Sequence, residues 1–157
     1  MEDNKKIITR AVYGDRIQTF RNHVRIVMDE GEKLQDVLGS TIIGAKVLSS
    51  SIEGDDQKAV KVKANVEFEI HIWYRTDNDT KVSRTSVKSS DIIEIEKQGA
   101  ERFKHEKVSV WIKEMPKCVD TAIIREKVVD LVEVQLEYAL GAEIIGETLL
   151  NVKVFKT

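Results

Sequence analysis

Val60-Lys61-Val62-Lys63-Ala64-Asn65-Val66-Glu67-Phe68-Glu69-Ile70-His71-Ile72-Trp73-Tyr74 decides the fold of this chain. Every even position holds Val, Ala, Phe, Ile or Tyr, and the odd positions between them hold Lys, Asn, Glu, His and Trp. Strict alternation of this kind is the pattern of a strand that lays one face on a core. A straight strand of this length would run about 50 Å, beyond the common strand length, so a bulge or bend is expected within it near Asn65. Asp77-Asn78-Asp79-Thr80 follows, and such residues favour a turn through local side-chain hydrogen bonds.

Outward from this segment the pattern stays extended. Lys81 to Val87 alternates weakly, and Ile92, Ile93 and Ile95 sit among acids from Asp91 to Glu96, which reads as a hairpin followed by a further strand. Val108-Ser109-Val110-Trp111-Ile112 alternates again, with Pro116 as its expected end because proline cannot donate to a ladder. Cys118 to Ile124 continues in the extended style. Between 126 and 140, Val128, Val132, Val134, Leu136 and Tyr138 fit a strand, while Val128, Leu131, Val132 and Leu136 would also line a helix ended at Gly141. Valine content and the sustained even phase favour the strand. Leu149 to Phe155 alternates once more.

On the other side, Ile7 to Val12 and Ile17 to Met28 hold shorter β-like stretches. Asp29-Glu30-Gly31-Glu32-Lys33 reads as a polar turn before Leu34 to Leu38. Gly39 and Gly44 bracket Thr41-Ile42-Ile43, and Ser49 to Asp56 reads as a solvent loop. Many short strands separated by turns predict an all-β chain, an antiparallel β-sandwich elaborated by at most one short helix. Length favours a single domain over residues 1–157.

Composition narrows the function. The chain is 41% hydrophobic and 33% charged with a formal net charge of −2, and its bases are scattered among acids. No general attraction to nucleic acid or to an anionic membrane is expected. Cys118 is the single cysteine, which excludes an internal disulfide framework and points to a reducing compartment. No secretory signal is expected at Met1 to Lys6, and no segment approaches the ~20 apolar residues of a membrane helix.

The residues offer no reaction. His23, His71 and His105 lie far apart, and none has a second ligand at zinc spacing. Asp77-Asn78-Asp79 lacks the glycine and terminal glutamate of a calcium loop. Phosphate loop, nucleophile elbow and dinucleotide fingerprint are all missing. No catalytic, cofactor-binding or metal-binding residue is assigned, and no cofactor is expected.

The unusual positions point to surfaces instead. Trp73 lies in the polar phase of its strand with His71, and Trp111 lies between Ser109 and Lys113, so both tryptophans are expected to point away from the core. A second covering layer is the plain explanation; an exposed patch for a partner is the functional one. His71 is expected to be exposed. Ile7, Thr9, Ala11 and Tyr13 alternate within residues 1–13, an edge strand that pairs with its own sheet or exchanges with a neighbour's. Cys118 reads as a buried thiol, with a surface crosslinking thiol as the alternative. A β-sandwich binding a small ligand or carbohydrate on those tryptophans is the rival function.

Five blocks in order carry a family resemblance. They are Lys6-Ile7-Ile8-Thr9-Arg10-Ala11-Val12, Leu38-Gly39-Ser40-Thr41-Ile42-Ile43, Ile70-His71-Ile72-Trp73-Tyr74 with Asp77-Asn78-Asp79-Thr80-Lys81, Met115-Pro116-Lys117-Cys118, and Ile144-Ile145-Gly146-Glu147-Thr148. Together they resemble the outer spore coat morphogenetic protein E family of endospore-forming bacteria. The resemblance implies a structural protein made in the mother-cell cytoplasm and laid on the forespore. It also implies partners: other copies of itself and other spore coat proteins. No catalytic residues or cofactors come with it. Members of that family continue into an acidic C-terminal tail absent after Phe155 here, so a recruitment role resting on such a tail is not expected of these residues.

Overall fold

The computed structural model describes residues 2–28, 33–56, 58–97 and 104–155. Among them are six strands: β1 (Glu2–Val27), β2 (Leu34–Asp55), β3 (Ala59–Thr76), β4 (Thr80–Glu96), β5 (Lys104–Arg125) and β6 (Asp130–Phe155). They form two antiparallel three-stranded sheets, ordered β1-β6-β5 and β2-β3-β4. The sheets pack face to face as a sandwich, with β2 beside β5 along one side and β1 approaching β4 along the other.

The core belongs to the two central strands. β3 buries Val60, Val62, Ala64, Val66, Phe68, Ile70, Ile72 and Tyr74, and β6 buries Val132, Val134, Leu136, Tyr138, Leu140, Ala142 and Ile144. Period-two alternation therefore does what it predicts: each central strand gives its even face to the space between the sheets. Phe68 meets Tyr138 across that space with ring centroids 6.1 Å apart, and Phe20 stacks on Tyr138 at 5.7 Å. The buried Tyr138 hydroxyl donates to the Asp91 carboxylate, and Ser89 and Asn22 complete the network.

Asp130 ties the chain together at one end of the sandwich. Its backbone carbonyl accepts from Met28 N at 3.1 Å, just past β1. One carboxylate oxygen accepts from Leu34 N at 3.0 Å, where β2 begins, and from Arg125 Nη1 at 2.6 Å, where β5 ends.

The fold class stands, and several local expectations are corrected. The strand favoured between 126 and 140 is borne out over 130–140, and no helix occurs among the described residues. The strands are few and long: Lys81 to Glu96 lies in one strand, Ser49 to Asp55 belongs to β2, and Ile7 to Val27 lies within β1. Long strands hide as short ones because a bulge or a polar stretch resets the sequence phase without ending the ladder. The expected bulge near Asn65 is not in β3, whose pairing with β4 is unbroken. It lies opposite, in β2 between Val47 and Ser49, which face Val66 and Asn65. Pro116 does not end its strand either. β5 is an edge strand, and Pro116 falls inside the irregularity between Glu114 and Lys117, where no ladder donor is needed. Of the turn expected at 29–33, residues 29–32 lie outside the described residues; the one after Thr76 is present, closed by Thr76 N to Asp79 O at 2.8 Å.

Candidate interaction surface

The irregularities are concentrated on two strands. β2 has five register shifts against β3, and β5 has four against β6. β1 has one, between Val12 and Gly14, and β4 has none. A bulge inserts an extra residue and re-aims its side chain. In β2 the residue inserted between Val37 and Gly39 is Leu38, and the one inserted between Val47 and Ser49 is Leu48; they are 52% and 44% exposed. In β5, Val119 is inserted between Cys118 and Asp120, and Met115 lies within the Glu114/Lys117 shift; both are more than half exposed. Ile43 and Ile52 border two further shifts of β2 and are exposed as well. β2 and β5 run beside each other along one side of the sandwich, so these exposed side chains are strung along its two bulged edge strands.

Sequence reasoning missed this flank, although a signal was present. Val37-Leu38, Ile42-Ile43 and Val47-Leu48 recur every fifth residue. A period of five is neither strand nor helix; it is two ordinary strand steps plus one bulge residue. The first member of each pair turns toward the interior and the second is exposed.

The predicted site residues are not brought together. Trp73 lies on the outer face of the β2-β3-β4 sheet and Trp111 on the outer face of the other, and they are 41% and 38% exposed. Trp73 has Gly39 and Val82 as its cross-strand neighbours, and Val82 is exposed too. The His71 ring meets Trp73 edge-on at 6.2 Å, and its Nε2 sits 2.8 Å from Glu69 Oε1. His71 is corrected to a shielded position, its side chain only 15% exposed. Trp111 lies flat on β6: a Cβ added at its partner Gly141 would come within 2.3 Å of the indole. That ring covers backbone as well as facing outward.

Of the edge residues, Ile7, Thr9 and Ala11 pair within the same chain with Leu150, Thr148 and Gly146. Ile7 is about half exposed, and Thr9 and Ala11 are partly covered. Tyr13 is corrected. It is the extra residue of the β1 bulge, which turns it inward to 4% exposure, so it is no surface residue. Cys118 is neither fully buried nor open; it packs against the core edge with Sγ 3.6 Å from Asp120 O.

At the opposite flank, Gly14 brings β1 close to β4, and Arg16 Nη1 donates to Glu94 O at 2.9 Å. A groove of about 510 Å³ beside them is lined by Val12, Tyr13, Gly14, Asp15, Arg16, Glu94 and Glu96. Neither tryptophan lines it. Charge on the outer face of β1 and β6 is paired: Arg21 with Glu137 at 2.9 Å, and Arg25 and His23 with Glu133 at 3.1 and 3.3 Å. Hydrogen bonds from His23 and then Arg25 hold the Glu133 carboxyl below its usual range. Among the described residues no helix is long and apolar enough to cross a membrane.

Fold and surface together define the class: an antiparallel β-sandwich of long strands, with apolar side chains thrown outward along two bulged edges. Residues 3–157 match the model of the family described as outer spore coat protein E (CotE), and the chain belongs to that family. A spore coat role, and a place at the spore coat, go with that membership. No curated protein and no solved structure matches the chain.

Proposed function

We propose that this protein is a structural scaffold of the spore coat, associating with copies of itself and anchoring other coat proteins around the forespore after synthesis in the mother-cell cytoplasm. The observation that carries this reading is the bulged flank, where Leu38, Ile43, Leu48, Ile52, Met115 and Val119 are all exposed. Each exposed side chain alone is ordinary; a run of them along two adjacent strands is the kind of surface that partners cover. Trp73 with Val82, on an outer face, adds a second, smaller contact. Several modest surfaces facing different directions suit a protein that builds a layer.

The carbohydrate-binding alternative is less well supported, because it needs aromatic rings converging in one concave site. The two tryptophans lie on opposite faces instead.

Light scattering and negative-stain microscopy of the purified chain over a concentration series test the proposal. Growth into large oligomers, sheets or caps is the expected result. A particle that stays a single chain at high concentration overturns it.

A further inference from the structure

Three of the four strand pairings join neighbours in sequence: β2 with β3, β3 with β4, and β5 with β6. The fourth joins β1 to β6, whose partner residues lie as far apart as Glu2 and Phe155. That pairing is long, running without a break from Gly14 to Val27 and again from Glu2 to Val12. β5 reaches along β6 only to Glu147, so beyond that point β1 is the one sheet neighbour that β6 has among the described residues.

β1 is anchored in the core at two places, by Tyr13 at its bulge and by Ile26 with the following Met28 at its end. Between them its inward positions are Gly14, Arg16, Gln18, Phe20, Asn22 and Val24, none fully buried, with Phe20 and Val24 packed against the core edge. Ile7, Ile8, Val12, Ile17 and Val27 remain exposed. Alongside these contacts β1 is bound by its ladder and by a row of ion pairs to β6: Arg10 with Glu147, Arg21 with Glu137, and Arg25 with Glu133.

From this we propose that assembly proceeds by exchange of β1, the β1 of one copy lying on the β6 of the next. This inference rests on the self-association proposed above and names its mode. The occupant is specified by the register itself: a second copy's β1 offers β6 the same ladder and the same Arg–Glu row, so exchange forfeits no pairing. Closed chain and exchanged pair then differ only in the connection between β1 and β2 and in concentration, and the crowding of a coat layer favours exchange. A reciprocal exchange closes as a dimer, and a serial one grows as a chain.

Single-cysteine chains test it. Arg21→Cys in one chain and Glu137→Cys in another, both carrying Cys118→Ser, are unfolded together, refolded together and treated with a short bis-maleimide. In the native register these two positions face each other. The expected result is a product at twice the chain mass from the mixture, absent when either chain is treated by itself. The chain carrying both cysteines reports the closed form: if it bridges within itself while the mixture yields no doubled product, exchange is overturned. A doubled product formed equally by either chain alone also counts against it. Arg25→Cys with Glu133→Cys repeats the measurement at a second site. The Cys118→Ser chain is sized in parallel. If it assembles without interchain bridges, exchange fails and self-association stands; if it never assembles, both fail.

Discussion

At the residue scale, the two tryptophans read alike in the sequence and differ in what they touch. Trp111 covers Gly141, so Trp111→Ala uncovers the β6 backbone, and Gly141→Ala forces the indole off its seat. Each is expected to lower stability by about 1–3 kcal/mol in denaturant unfolding. Trp73 has no such seat: a Cβ at its partner Gly39 would meet nothing within 4 Å. Trp73→Ala should therefore leave the unfolding midpoint nearly unchanged and reduce particle size in light scattering; unchanged size removes Trp73 from the association surface. Asp91 gives a separate prediction. Burial raises its carboxyl above the usual range, while the hydroxyls of Tyr138 and Ser89 pull it down. Burial, and then Asp91, push the Tyr138 hydroxyl up in turn. Because the folded pKa is raised, the stability linked to this group is fully present below the unfolded carboxylate pKa, and is lost as pH rises through the folded one. Asp91→Asn keeps an acceptor for Tyr138 and removes the charge. It is expected to match or exceed the parent near neutral pH, by up to about 1 kcal/mol, with the advantage shrinking on acidification. Thermal unfolding across that range is the check, and a variant weaker than the parent at neutral pH refutes the desolvation argument.

At the scale of the elements, the central strands were legible and the edges were not. β3 carries one unbroken phase from Val60 to Tyr74 because its ladder with β4 has no irregularity, so every residue keeps the face its position assigns. β6 held the same even phase, and Gly141 raised the helical alternative only because the residue that fills its place comes from Trp111 of another strand. In β2 the phase slips at each bulge, and Gly44, at φ +67°, sits in the widest of these slips; a ladder with five such shifts reads as fragments and loops. Neither Trp73 nor the flank of β2 and β5 was wholly hidden. Alternation marked the tryptophan, while the five-residue repeat of apolar pairs needed the bulges to be understood. The bulges also have a physical consequence. Irregular edges resist strand-to-strand pairing, so β2 and β5 are suited to contact through side chains, while β4 and, away from its one bulge, β1 keep ladders that can be extended. Leu38→Ser with Leu48→Ser is accordingly expected to cut particle size in light scattering, with a loss of stability of no more than about 1–2 kcal/mol, since both side chains are about half exposed. A large fall in stability would mean that these leucines serve the fold instead.

At the scale of the whole molecule, one side chain connects what the topology leaves separate. The two sheets are assembled from different stretches of chain, and β1 reaches the β6 sheet from the far end of the sequence. Asp130 stands where the end of β1, the start of β2, the end of β5 and the start of β6 converge, and it accepts from three of them. Asp130→Ala deletes the carboxylate acceptor of Leu34 N and of Arg125 but leaves the backbone bond to Met28 in place. Leu34 is 1% exposed, so its N–H is left buried without that partner, and the loss is expected to be about 2–3 kcal/mol. The effect reaches beyond stability. With β2 released at this corner, the passage from β1 into β2 is less firmly fixed, and that passage is the part of the chain that differs between a closed molecule and one that has exchanged its first strand. Asp130→Ala should therefore raise the share of doubled product in the mixed-cysteine measurement while lowering the unfolding midpoint. Arg125→Ala, which removes only the half-exposed partner, should lower the midpoint by less than about 1 kcal/mol and leave that share where it was.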